Sequence, residues 1–425
     1  MSLLIKNGRV IDPENKRDGV MDVFVKNGRV AKVAKNIQEK AKETINAAGK
    51  IVAPGLIDMH VHLREPGRED EETIQTGALA ALAGGFTSIV CMPNTTPPCD
   101  SESVVRFIID RARELSPVNV FPVGAITKGR LGRELSEIAE LKDSGCVALS
   151  DDGDSVMDGG LMRRAFEYAS SFDIPVITHC EDKALAGDGV MNEGAVSTLL
   201  GLRGIHNKAE SVMIHRDVEL AGLAGAKVHI AHVSTKEGAA IIANAKQRGI
   251  TVTAEVTPHH LSLTDACCKT YDTFLKVNPP LRSAEDVKAL KAALKSGQID
   301  AIASDHAPHL DSEKDVEFDK APFGMIGLET ALALAVMELV NAKILTWPQL
   351  ITKMSVMPSK ILNLDRGSLA DGRIADITII DPEQEWVYAR ENIRSKSANS
   401  PFIGWKMTGL ATDVIVGGVP RKRCS

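Results

Sequence analysis

The 425-residue sequence contains no apolar stretch approaching the ~18 residues that cross a bilayer, and its opening, MSLLIKNGRVIDPENKRD, lacks the long apolar core of a secretory leader. Those absences set the expectation of a cytoplasmic protein with no membrane partner. No basic block stands out either: 50 Lys plus Arg face 56 Asp plus Glu for a net charge of -6, so nucleic acid is not an expected partner. Seven cysteines (Cys91, Cys99, Cys146, Cys180, Cys267, Cys268 and Cys424) form no CxxC pair and are odd in number, unlike a disulfide framework. They are expected to be reduced and structural. Low-complexity tracts and sequence-level repeats are also missing. What remains, at 44% hydrophobic and 25% charged, is an ordinary soluble composition, long enough for one large barrel-type domain with an accessory or for two domains.

Eight short, β-branched runs recur through the middle of the chain: LIDMH (56–60), TSIVCM (87–92), NVFPVGA (119–125), CVALS (146–150), PVITH (175–179), KVHIAH (227–232), TVTAEV (251–256) and DAIAS (300–304). Between them, segments such as SVVRFIIDRARELS and AEDVKALKAALKSG repeat apolar residues at three and four, as helices covering a parallel sheet do. The rhythm predicts an α/β fold, a TIM-like (β/α)8 barrel over residues 53–364. The flanks, 1–52 and 365–425, carry short alternating strands with KNG and DG turns. Neither flank can form a stable sheet alone, so both termini are expected to pair as one small composite β-sandwich of antiparallel strands.

His60 and His62 in HVH fall two apart at the end of the first strand, which places both imidazoles on one face. Alone, that pair is weak. It gains force from Asp152, His179, His232 and Asp305, each at the carboxyl end of another predicted strand, where barrel enzymes build their sites. Imidazoles and carboxylates without thiolates suit Zn2+ or a comparable divalent ion. Six such residues exceed one open tetrahedral site, which favours two metals sharing a carboxylate. His229 points to the opposite face from His232, His206 and His215 fall in a helical connection, and His306 faces away from Asp305. His259 or His260 could line the mouth, and His309 can fold back over it.

The motifs GLIDMHVHLREPG (55–67), CMPNTTPP (91–98), LSDDG (149–153), THCED (178–182), HIAHVST (229–235), TPHHL (257–261), NPPLR (278–282), ASDHAPH (303–309) and PFGMIGLET (322–330), in this order, closely resemble the type I dihydroorotases of the amidohydrolase superfamily. The flanking GSLADGRIADITIID and NSPFIGWKMTG resemble that family's composite sandwich, so the likeness spans essentially the whole chain. It implies the reversible cyclisation of N-carbamoyl-L-aspartate to L-dihydroorotate, a step of pyrimidine synthesis. It further implies two zinc ions per subunit: His60, His62 and Asp305 on the first, His179 and His232 on the second, and Asp152 bridging. Asp305 becomes the general base and acid. Arg64, Asn94 and His309 would meet the substrate's free carboxylate, and Asn278, Phe323 and Gly324 its ring amide. A homodimer, and association with aspartate transcarbamoylase, are the partner expectations.

Allantoinase and dihydropyrimidinase share the histidines but normally carry a bridging lysine, whereas CVALSDD offers none and Lys142 lies in a helical segment upstream. A non-catalytic scaffold subunit would have lost ligands, and none of the six is missing. The charged stretch 309–324 is expected to be a mobile lid or an ordinary solvated loop.

Overall fold

The computed structural model describes residues 2–421; Cys424 lies outside them. Eight parallel strands, labelled β1 to β8, form the barrel: Leu56–Val61, Phe86–Cys91, Asn119–Gly124, Ala148–Leu149, Val176–Thr178, Val228–Ile230, Val252–Val256 and Ala301–Ile302. Each is hydrogen-bonded to the next in sequence, so the sheet order follows the chain. A bridge between Val61 and His306, with the His62 N–H donating to the His306 carbonyl at 2.9 Å, draws β8 back to β1 and nearly closes the ring.

Amphipathic sequence dictates the outer layer. In the helix Glu102–Leu115, Val104, Val105, Ile108 and Ala112 face inward at spacings of three and four, and the intervening charges face solvent. The helices Gly159–Ser171, Lys236–Gln247 and Ala284–Ser296 repeat the pattern, each begun by an Asp, Thr or Ser cap accepting a backbone N–H. Inside the barrel, Met59, Val90, Val123, Ala148, Ile177, Ala231, Ala301 and Ala303 pack into one cluster with Ile361 and Leu362. Small residues there leave the carboxyl end of the barrel open to polar groups.

Both termini join one sheet. Ile51–Pro54 pairs antiparallel with Ile377–Val387, Ile377 facing Pro54, which ties the two ends of the chain together beside the barrel. The flank is not wholly antiparallel as expected. Ser2–Asp12 lies parallel to both Glu43–Asn46 and Ile51–Pro54, because the chain returns after the Arg17–Ala34 hairpin over a connection long enough for a crossover. Between two of its C-terminal strands, residues 388–405 leave this sheet and reach the barrel mouth, where Asn399 donates to the carbonyls of Ala307 and Gly324 at 3.1 and 3.2 Å.

Among the described residues no helix is long and apolar enough to cross a membrane. Six cysteines among the described residues are free thiols, five of them buried.

Candidate active site

Six ligand-type side chains converge at one end of the barrel. His60 belongs to β1 and His62 follows it, while Asp152, His179, His232 and Asp305 follow β4, β5, β6 and β8; all six are buried. The Asp152 carboxylate sits at their centre. Its Oδ1 lies 3.4 Å from His60 Nε2, 3.6 Å from His232 Nε2 and 3.9 Å from His179 Nδ1, and its Oδ2 lies 3.5 Å from His62 Nε2. Asp305 Oδ1 is 3.1 Å from His62 Nε2 and 3.5 Å from His60 Nε2. His179 Nδ1 is 2.9 Å from His232 Nε2.

These spacings suit metal ligands. Two donors held ~2.1 Å from one ion in tetrahedral array stand ~3.4 Å apart. His60 Nε2 and Asp152 Oδ1 are buried without a hydrogen-bond partner, a costly state unless something else satisfies them. Two triads, His60 with His62 and Asp305, and His60 with Asp152 and His232, each gather their donor atoms within 4.8 Å. The donor set of imidazoles and carboxylates fits a divalent ion of the zinc type. Another group, Glu71, His309 and Glu313, gathers as closely, but Arg68 reaches both acids, at 3.2 and 2.6 Å, so its charge is already balanced.

The charges in this cluster hold one another. Burial would raise the carboxyls of Asp152 and Asp305, yet the neighbouring His60 keeps both well below the usual carboxylate range. Burial would likewise lower His60, but Asp152, Glu255 and Asp305 outweigh it and raise it. At His179, burial and the adjacent His232 prevail and bring the imidazole down to about 4, the neutral form a ligand needs. The backbone is strained here too: Arg64, His232 and Asp305 have φ of +62°, +33° and +49°, conformations that cost on the order of 1–3 kcal/mol each and concentrate at functional sites.

Several supporting residues escaped sequence reasoning. Glu255 in β7 accepts from His60 Nδ1 at 2.7 Å and places its other oxygen 3.3 Å from His229 Nε2. Despite burial, His60 and His229 hold its carboxyl down to about 2. Such a carboxylate behind a ligand imidazole fixes the ring's tautomer and aim. Its signal was a lone acid inside a barrel strand, VTAEV, that carries no other charge. Arg130 donates to the Asp152 carbonyl and pairs with Asp154 at 2.7 Å, gripping the Asp152 loop from outside. Asp58 accepts from the His60 and Ser304 N–H groups at 3.1 Å, joining β1 to β8.

A cavity of about 520 Å³ opens above the cluster, lined by His62, Asp152, His179, His232 and Asp305 below and by Arg64, Asn94, Asn278, His309, Phe323 and Gly324 around the wall. Asn94 accepts from His62 Nδ1 at 2.8 Å, which leaves that ring's Nε2 for the cluster. Asn278 Nδ2 stands 3.5 Å from His179 Nε2, while its buried Oδ1 is unpartnered. Arg64 pairs with Glu71 at 3.1 Å and donates from Nε and Nη2 to the Pro308 carbonyl at 3.2 and 3.1 Å. At Gly324, φ is +133° and a Cβ would come within 2.8 Å of Ala307 Cβ and 3.1 Å of His309 Nε2, so only glycine keeps this wall close. The 309–324 segment is tied down: buried Lys314 donates to the carbonyls of Pro322 and Thr273 at 2.7 and 3.2 Å, and Gly324 N–H to that of Lys276 at 2.8 Å. His259 and His260 are buried outside the cavity lining, the latter held by Thr257 and the Pro279 carbonyl. His306 turns to Glu72, and His206 caps the helix Asn207–Ala224.

The barrel, with imidazoles and carboxylates gathered at its carboxyl end, defines an enzyme of the amidohydrolase class, a fold shared by hydrolases of cyclic amides. A family model described as dihydro-orotase-like matches residues 49–238. A dihydroorotase from Geobacter metallireducens is 55% identical over 98% of this chain and 99% of its own, and one from Acetivibrio thermocellus is 51% identical over 98% of each. The chain belongs to the dihydroorotase family. In architecture it is similar to the L-hydantoinase (dihydropyrimidinase) of Arthrobacter aurescens, with a TM-score of 0.89 at 26% identity over 98% of this chain and 95% of that one.

Proposed function

We propose that this enzyme interconverts L-dihydroorotate and N-carbamoyl-L-aspartate, and that the six clustered side chains are its metal ligands. His60, His62 and Asp305 would hold one zinc ion, His179 and His232 a second, with Asp152 shared between them. Bound there, the ions supply Lewis acidity toward the amide carbonyl and lower the pKa of water.

The chain's own groups do the rest. Arg64, Asn94 and His309 orient the substrate through its free carboxylate, Arg64 by a charge-assisted fork. Asn278 and the backbone at Phe323 and Gly324 hold the ring amide. Asp305 takes the proton of the attacking water as the C–O bond forms and delivers it to the ring nitrogen as the C–N bond breaks. Cyclisation runs through the same groups in reverse.

The observation that carries this reading is the position of Asp152, within 3.4 to 3.9 Å of all four imidazoles. A carboxylate there, and Lys142 turned away to the Phe172 carbonyl, favour dihydroorotate over the substrates of lysine-bridged relatives. The test is an assay of the purified chain on dihydroorotate, carbamoyl aspartate, allantoin and dihydrouracil, with zinc measured on the same sample. Turnover of allantoin or dihydrouracil alone would overturn the assignment, and inactivity on all four would favour a scaffold subunit. The same reading carries cytoplasmic location, a homodimer, and association with aspartate transcarbamoylase. Sedimentation of the chain alone and mixed with that enzyme checks the last two.

A further inference from the structure

Arg64 and His309 come from loops after β1 and β8, far apart in sequence, yet one buried side chain holds both. Glu71 is 2% exposed. Its Oε2 lies 3.1 Å from Arg64 Nε and its Oε1 2.8 Å from His309 Nδ1. The residue is itself fixed: Arg68 approaches Oε1 at 3.2 Å, and Ser397 donates to its backbone carbonyl at 2.7 Å. Arg68 continues at 2.6 Å to Glu313. Glu313 in turn caps the Leu310 N–H at 3.1 Å, so the network also ties the second loop.

We infer that Glu71 is a positioning residue for the substrate's carboxylate, acting through Arg64 and His309 without touching substrate; the inference rests on the anion-site reading above. Arg64 Nη2 stands 3.3 Å from His309 Nε2, which also lies 2.8 Å from the Phe323 carbonyl, so guanidinium and imidazole meet at the cavity wall. The buried carboxylate of Glu71 sits behind both, ion-paired with the guanidinium and hydrogen-bonded to the ring. It holds the imidazole with Nδ1 as donor and balances the guanidinium, whose Nε and Nη2 donate to the Pro308 carbonyl at 3.2 and 3.1 Å, so both side chains are fixed at the cavity wall. A purely structural ion pair would instead affect folding and leave substrate affinity alone.

The test is a double-mutant cycle of Glu71→Gln and Arg64→Met on the zinc-loaded enzyme, reading KM and kcat for dihydroorotate and zinc content. Glu71→Gln is expected to raise KM about 10- to 100-fold, as loss of a partner behind a binding side chain does. Little change is expected in kcat or zinc content, and little further effect in the Arg64→Met background. Glu71→Asp keeps the charge but reaches only one partner, so an intermediate KM is expected, and it supplies the test should the glutamine variant not fold. Wild-type KM in the Glu71 variants, while Arg64→Met raises it, overturns this inference alone, as does full multiplication of the two effects. An unchanged KM in Arg64→Met overturns the anion-site reading and this inference with it.

Discussion

Glu255 offers a sharp prediction because it contacts a proposed ligand and cannot itself reach an ion through the ring. Its carboxylate accepts the Nδ1 proton of His60 at 2.7 Å in a site where both residues are buried. Glu255→Gln preserves shape and one acceptor: the amide oxygen can still serve His60 while its NH2 turns to His229. Only the charge is lost, so zinc affinity should fall by about tenfold, the lower end for carboxylates behind metal-bound imidazoles and equivalent to about 1.4 kcal/mol. Glu255→Ala removes the acceptor as well and should approach about a hundredfold, or about 2.7 kcal/mol. Competition with a chromophoric zinc chelator measures both. Affinities within twofold of wild type in both variants would refute the idea that Glu255 orients His60 toward an ion.

Arg64→Met should raise KM for dihydroorotate about 10- to 100-fold, the worth of a hydrogen bond to a charged group, while zinc content stays unchanged. Steady-state kinetics beside metal analysis decides this. Asp305→Asn removes the proton carrier and should lower kcat by about 10²- to 10⁴-fold even at saturating zinc. Glu329, buried beside Glu72 and accepting from the Arg394 and Ser395 N–H groups, is pushed up to about 7, chiefly by burial. In the unfolded chain it titrates near 4.5, so its protonated form contributes stability fully present below that pH and lost as pH rises through about 7. Glu329→Gln should flatten this decline, gaining on the order of 3 kcal/mol over wild type between pH 5 and 8 in chemical denaturation. Identical pH profiles for the two proteins would count against it.

The barrel was legible because its strands are apolar runs between amphipathic helices, a pattern that survives without tertiary knowledge. Terminal pairing could be read from strand number, but not the parallel return of Glu43–Asn46, since direction depends on a connection whose path no local signal encodes. Site residues divide in the same way. The six clustered side chains sit at or just past strand ends, where position singles them out, whereas Asn278, Phe323 and Gly324 lie in loops far from any strand end and were indicated only by the family resemblance. Glu71 was hidden in the run REDEE, which reads as a solvated charge cluster, and became distinctive only when folding turned it inward toward Arg64 and His309. Arg130 acts through a backbone carbonyl, an interaction with no sequence signature.

The most direct measurement is a calorimetric zinc titration of chelator-stripped protein, with dihydroorotate turnover followed on the same samples. Two equivalents per chain, activity returning with occupancy, and loss of both in Asp152→Ala are the expected result. Undiminished turnover in the stripped protein, or full zinc binding and activity without Asp152, would contradict a centre built around that carboxylate.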